Sequence, residues 1–363
     1  MRLPSSKNPW LTSPTHTALV PINTTHVLST TISGPLRTPT SPLLIFFTGA
    51  GAPSAVYTLL QRHLSPHIRC LFYDRAGYDH STLPPQITQI LCHDTARDLR
   101  ILLRETGLEG PYLLAAHSFG GIAARTFLQT CSEGEVGGML LFDTASELML
   151  ALFNHIPPRE LEAVGKYVNL AALTHLKQEA GFSDAEWRYA IEATGRSSRA
   201  LALEDTHASA HALALSRQID NVAFGARPLT VVQCNIAGDY QVLYDEGVRL
   251  GGGTEEERGV AKKFIEGARV FHGQLARAQC GLSGDVEFTY FEHWGHDLPI
   301  RRPGVVVEMV RGLLKRMGVV ERKGCGGGDS IGHNGLDDGK VDEEMIKESG
   351  GGRFPSPVMS FLG

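Results

Sequence analysis

Leu113-Leu114-Ala115-Ala116-His117-Ser118-Phe119-Gly120-Gly121 carries more information than any other stretch of the chain. Tyr112–Ala116 is a continuous apolar run of the kind buried on both faces of a sheet, and a helical pattern begins at about Ile122. A serine set in the turn between such a strand and such a helix is a nucleophile elbow. The turn is so sharp that large side chains two positions before or after the serine would collide, and Ala116 and Gly120 are both small. The usual pattern has glycine where this chain has Ala116. An elbow holds Ser118 Oγ at the C-terminal edge of a sheet and aims the backbone N–H of Phe119 at the same point, the start of an oxyanion hole.

On either side of this turn, short apolar runs alternate with longer amphipathic stretches, which predicts strands interleaved with helices and a mostly parallel sheet. The expected strands are Val27–Ile32, Pro42–Thr48, Ile68–Tyr73 and Tyr112–Ala116, then Val136–Phe142, Leu229–Cys234 and Val286–Phe291. Helical spacing marks Ile90–Thr106, a segment near Ala261–Ala278 beyond the polar stretch with Gly251-Gly252-Gly253, and a last helix over Val305–Met317. Between Ala145 and Arg227 the strand signals vanish and Ala/Leu-rich helical patterns take over, with a helix start at Pro157-Pro158-Arg159-Glu160 and capping-box spacing at Ser183-x-x-Glu186. The organisation expected is an extension over residues 1–20, a core over 21–144, a helical insertion over 145–227, the rest of the core over 228–320, and a tail over 321–363. Ten of the 40 glycines fall between Gly324 and Gly352 among charged residues and serine, so disorder is expected there.

With 363 residues, 42% hydrophobic and 20% charged, the composition excludes a fibrous or wholly disordered chain. The formal charge of -5 argues against a nucleic-acid or anionic-membrane partner and leaves a small molecule. The longest apolar runs, such as Leu43–Phe47 and Leu148–Phe153, are far shorter than the roughly 18 residues of a membrane span. The stretch Met1-Arg2-Leu3-Pro4-Ser5-Ser6 does not read as a secretory signal, so a cytoplasmic location is expected. Cys70, Cys92, Cys131, Cys234, Cys280 and Cys325 form no C-x-x-C pair, which points to free thiols without a zinc site or disulfide framework. His207 and His211 have i,i+4 spacing but no third ligand, so no metal is expected.

A nucleophilic serine requires a base, and His296 follows the last expected strand directly, in Phe291-Glu292-His293-Trp294-Gly295-His296-Asp297. His293 is the competitor; it lies nearer the strand end, while Gly295 gives the loop freedom to present His296. The second oxyanion donor should come from the loop after an earlier strand, where Thr48-Gly49-Ala50-Gly51 places the N–H of Ala50 between two glycines. A phosphate loop would need a Gly-Lys-Ser/Thr ending, which is absent.

Together with these runs, Tyr73-Asp74-Arg75-Ala76-Gly77-Tyr78, Gly110-Pro111-Tyr112, Leu140-Leu141-Phe142-Asp143, Gly295-His296-Asp297 and Arg302-Pro303 resemble the α/β-hydrolase superfamily, and most of all its small serine-hydrolase branch of esterases and lactonases. The resemblance covers about Thr25 to Lys315. It implies an α/β-hydrolase fold with an eight-stranded, mostly parallel sheet flanked by helices, a helical lid between strands six and seven, and no cofactor. It implies a structural part for Asp74 and Arg75. For the acid of a triad it leaves two positions: Asp239 after strand seven, where most of the superfamily has it, and Asp143 at the end of strand six, where the branch has it. Asp143 is favoured and Asp239 is the alternative.

The function expected is a serine hydrolase that cleaves a carboxylic ester, thioester or lactone of a small apolar substrate through an acyl-enzyme, in a pathway such as secondary metabolism. Ser118 attacks, His296 shuttles the proton, Asp143 or Asp239 orients it, and the amides of Ala50 and Phe119 hold the oxyanion. An acyltransferase or cyclase would use the same residues, and a ligand-binding protein would retain only the fold.

Overall fold

The computed structural model describes residues 8–152 and 155–319. The glycine-rich tail expected over 321–363 lies outside the described residues. Eight strands, β1 (Thr15–Ile22), β2 (His26–Ser33), β3 (Leu43–Phe47), β4 (Cys70–Tyr73), β5 (Tyr112–His117), β6 (Val136–Phe142), β7 (Pro228–Cys234) and β8 (Asp285–Phe291), form one sheet in the order β1-β2-β4-β3-β5-β6-β7-β8. β1 and β2 pair antiparallel, as do β2 and β4; every other pairing is parallel.

The central strands explain why their sequence is uniformly apolar. Leu43, Ile45 and Phe47 of β3 enter one core layer with Leu99 and Ile122 of the helices Cys92–Thr106 and Gly120–Leu128, while Leu44 and Phe46 enter the opposite layer with Leu60 and Val310 of the helices Thr58–Leu64 and Pro303–Arg316. Side chains alternate across a strand, so a strand covered on both faces must be apolar at every position. β1 begins within residues 1–20, where an extension is expected, and runs past that boundary to Ile22; its exposure shows why it escapes notice. It is an edge strand exposed along most of its length, and Pro21, opposite Val27, suits only an edge.

From β3 the chain crosses to β4 on one side and to β5 on the other, which opens a crevice at the C-terminal ends of β3 and β5. Among the described residues, six helices from Glu147 to Leu215 separate β6 from β7, including Asp184–Leu203 with the capping box Ser183/Glu186. The end of that helix is pinned to the first core segment: the Ile90 N–H donates to Leu203 O at 2.8 Å and the Asp205 N–H to Ile90 O at 3.0 Å. Between β7 and β8, two helices, Ile236–Arg249 and Glu255–Gln279, stand where sequence periodicity marks only one. Tyr240 and Leu243 of the first pack with Ala261, Ile265 and Ala268 of the second. Gly251-Gly252-Gly253 makes the connection, and a Cβ on Gly252 would lie 2.0 Å from Val164 O.

Candidate active site

Ser118 follows β5 with φ +56°, a left-handed backbone that a serine adopts only when its surroundings impose it. They do so through three hydrogen bonds: its N–H donates to Phe142 O at 3.2 Å, and its carbonyl accepts from the N–H of Gly121 at 3.0 Å and of Ala145 at 2.9 Å. Gly120 is obligatory for a different reason, since a Cβ there would sit 2.2 Å from Phe47 O. Ala116, the departure from the usual glycine, is fully buried.

The loop after β3 passes beside this serine, and a Cβ on Gly49 would fall 3.7 Å from Ser118 Oγ. Gly49 N–H donates to the Tyr57 hydroxyl at 3.2 Å and Gly51 N–H to the Tyr78 hydroxyl at 2.8 Å. Between them, the N–H of Ala50 meets no acceptor among the described residues, and neither does that of Phe119. Arg75 holds the loop from behind by donating to Thr48 O at 2.9 Å and Gly49 O at 3.1 Å, and it is itself paired with Glu204 at 2.7 Å. Glu204 belongs to the helical segment, so that segment and this loop share one buried ion pair. Asp74 accepts from Ser54 N–H and Oγ, and burial pushes its carboxyl up to about 7 despite those bonds. Asp74 and Arg75 thus both bond to the chain around this loop.

His296 is 6% exposed and sits between two aspartates. Its Nδ1 lies 2.6 Å from Asp143 Oδ2. Asp239 instead accepts the backbone N–H of His296 at 2.7 Å, and its carboxylate lies against Gly295, where a Cβ would come within 2.0 Å of Oδ1. Asp143 has φ +43°, donates its N–H to Val232 O at 2.8 Å and accepts Cys234 N–H at 3.0 Å, so β7 aims its carboxylate. Burial alone would lower the pKa of His296, yet the hydrogen bond and charge of Asp143, with Asp239 and Asp297 beyond, hold it above the usual histidine value. Burial likewise raises the Asp143 carboxyl, but the bond to His296, the imidazole charge and Cys234 N–H outweigh it and the net shift is downward. Asp239, pushed up by burial and by Asp297, reaches about 7.

The remaining ring nitrogen of His296, Nε2, is buried and has no partner among the described residues. His296, Ser118, Phe119 and Asp143 line one cavity of about 180 Å³. Its other walls are Met149 and Ile156 from the helical segment and Ile236, Tyr240, His272 and Leu275 from the helices between β7 and β8. His293 is exposed outside it. His207 lines the cavity, His211 does not, and no group of three metal-ligating side chains occurs among the described residues. Tyr57, Glu204, Tyr240 and His272 were not legible as site residues. A buried tyrosine or histidine has no local signature, although the i,i+4 spacing of Ile236 and Tyr240 marks a helix face.

His117, which precedes the serine, is also fully buried. Its Nε2 lies 2.8 Å from His296 O, an acceptor only, so Nε2 carries the proton and Nδ1 accepts from the Tyr57 hydroxyl at 2.8 Å. Burial drives its pKa down to about 3, and it is a neutral tie between the elbow and the His296 loop.

The model of the alpha/beta hydrolase family matches residues 44–309. Two curated relatives are similar over 85% of this chain. One is "Probable transporter efuK" of Hormonema carpetanum, 26% identical over 319 residues, of which the matched region covers 44%. The other is "AB hydrolase superfamily protein" of Gibberella zeae, 28% identical over 330 residues and covered to 98%. The chain thus spans less than half the length of the first and nearly all of the second. Among solved structures, wild-type Cfl2 of Burkholderia cenocepacia superimposes with a TM-score of 0.53 at 16% identity, covering 82% of this chain and 95% of that one, a likeness of fold.

Proposed function

This chain belongs to the alpha/beta hydrolase family, and we propose that it is a serine hydrolase of carboxylic esters, thioesters or lactones. One observation carries the reading: an imidazole with a carboxylate on Nδ1 and an unpartnered, buried Nε2 lines the same cavity as a serine held in a left-handed elbow. Asp143 keeps the His296 proton on Nδ1, which leaves the Nε2 lone pair free to take the proton of Ser118 Oγ as that oxygen attacks the carbonyl carbon. The oxyanion so formed lies against the N–H groups of Ala50 and Phe119, both unpartnered among the described residues. As the carbon–oxygen or carbon–sulfur bond breaks, Nε2–H protonates the leaving group. Water then repeats the sequence on the acyl-enzyme and releases Ser118. A protein that retained only the fold for ligand binding would have no reason to keep this set intact.

The helices from Glu147 to Leu215 act as a lid, through the cavity wall formed by Met149 and Ile156. The decisive experiment is labelling with a fluorophosphonate probe, wild type beside Ser118→Ala, together with hydrolysis of an activated ester. Labelling at Ser118 that disappears in the variant is expected. A wild-type protein that neither labels nor turns over ester overturns the assignment.

A further inference from the structure

Five buried side-chain atoms lack a hydrogen-bond partner among the described residues: Tyr73 Oη, Ser146 Oγ, Tyr240 Oη, His272 Nε2 and His296 Nε2. Three of the five belong to residues that line the one cavity at Ser118. His296 Nε2 is accounted for by proton transfer. Tyr240 Oη and His272 Nε2 are not, and buried polar groups are nearly always paired, so two such orphans at one cavity are open to a partner bound there.

The two residues are neighbours on adjacent helices, with ring centroids 6.1 Å apart. Ile236 and Tyr240 occupy one face of the first helix, and His272, Leu275 and Ala276 one face of the second; all five line the cavity. Tyr240 is fully buried, and both residues line the cavity that holds Ser118, Asp143 and His296. Burial drives the His272 pKa down to about 4, so at neutral pH its imidazole is uncharged. No lysine or arginine lines the cavity, and Asp143 is its carboxylate. An anionic group would find no lysine or arginine to pair with and one repulsive carboxylate. A hydroxyl, which donates and accepts at once, satisfies both orphans.

We propose that Tyr240 and His272 form a polar subsite for a neutral hydroxyl on the substrate, so that the enzyme selects hydroxylated esters or lactones over plain alkyl ones. This rests on the serine-hydrolase reading of the site. Binding is therefore measured apart from turnover, by calorimetry on Ser118→Ala protein with methyl octanoate and its 3-, 6-, 7- and 8-hydroxy forms. At least one hydroxy ester should bind about tenfold more tightly than methyl octanoate, and Tyr240→Phe or His272→Phe in that background should cut the preference to about threefold or less. Without ligand, Tyr240→Phe should melt no lower than its parent, because the hydroxyl it removes has no partner. Equal affinities, a preference that survives both substitutions, no measurable binding, or a clear drop in Tm on Tyr240→Phe overturns the proposal. Fluorophosphonate labelling of the wild type separates the two readings. Labelling without hydroxyl preference fails the subsite alone, and preference without labelling fails the hydrolase assignment alone.

Discussion

The loop after β6 and the loop after β7 each bring an aspartate to His296, and the two carboxylates end in opposite electrostatic states. Asp143 takes the imidazole Nδ1 at 2.6 Å and is held below the usual carboxylate range, whereas Asp239 takes the main-chain N–H of the same residue at 2.7 Å and is pushed up to about 7. Both lie beside one histidine, so proximity does not separate them. The atom each one meets does. A carboxylate bonded to a ring that can become cationic gains most from ionising, while for one bonded to a neutral amide the pull of the same imidazole does not offset burial and the repulsion of Asp297. On the proposed mechanism, an aspartate beside His296 serves as the acid only if it reaches the ring.

Ser118→Ala sets the scale for breaking this comparison. On the proposed mechanism, removing the Ser118 hydroxyl should lower kcat for an activated ester by about 10⁴-fold or more while leaving the fold intact. Stopped assays with circular dichroism on the same sample check both halves, and retention of a tenth of the activity would remove Ser118 from the mechanism.

Asp143→Asn comes next, with an expected loss in kcat of about 10³- to 10⁴-fold, because the amide no longer fixes the tautomer or stabilises the imidazolium. Its pH profile gives a second readout. His296 must be neutral to accept a proton, and its pKa is held above 6.5, so kcat/KM of the wild type should rise through an inflection above pH 6.5. Without Asp143, burial acts with far less opposition and the residual activity should inflect at lower pH. An unmoved inflection would mean that another group sets it.

The smallest kinetic effect belongs to Asp239→Asn, whose amide oxygen can still accept the His296 N–H; kcat within about tenfold of wild type is expected. Stability sharpens the contrast, because the two carboxylates carry opposite signs. Asp239 binds its proton in the native state up to about pH 7 but releases it near 3.8 when unfolded, so it makes the native state lose stability as pH rises through that window. Asp143, with its native pKa depressed, contributes stability that is present above about pH 4 and lost as pH falls through its native value. As pH falls, the Tm difference from wild type should move against the variant for Asp239→Asn between pH 7 and pH 4, and in favour of the variant for Asp143→Asn below about pH 4. A common sign for both would show that the two sites are electrostatically alike.

The elbow, seven of the eight strands and the general position of His296 were legible because each is written in contiguous residues: an uninterrupted apolar run, a small-Ser-x-small turn, a loop straight after a strand. β1 was missed because its residue types do not follow its alternating burial, with His16 turned inward and Leu19 outward, and the helix Ile236–Arg249 because Gly238 and its many polar residues dilute the pattern. The cavity wall suffered with it, since Tyr240 lies on that helix.

Sequence by itself determined the α/β layering, the serine at a strand-to-helix turn and a short list of histidines and aspartates, all through local periodicity and turn chemistry. Tertiary structure decided the rest. Asp143 and His296 are 153 residues apart, and their contact depends on the β6–β7 register that places Val232 O and Cys234 N–H to hold Asp143 in its left-handed turn. Asp239, nearer in the chain, meets the main chain because Gly295 lets the backbone come within reach of its carboxylate. Which of two similar side chains touches a ring nitrogen is a matter of a few ångströms between strands, and only packing sets distances on that scale.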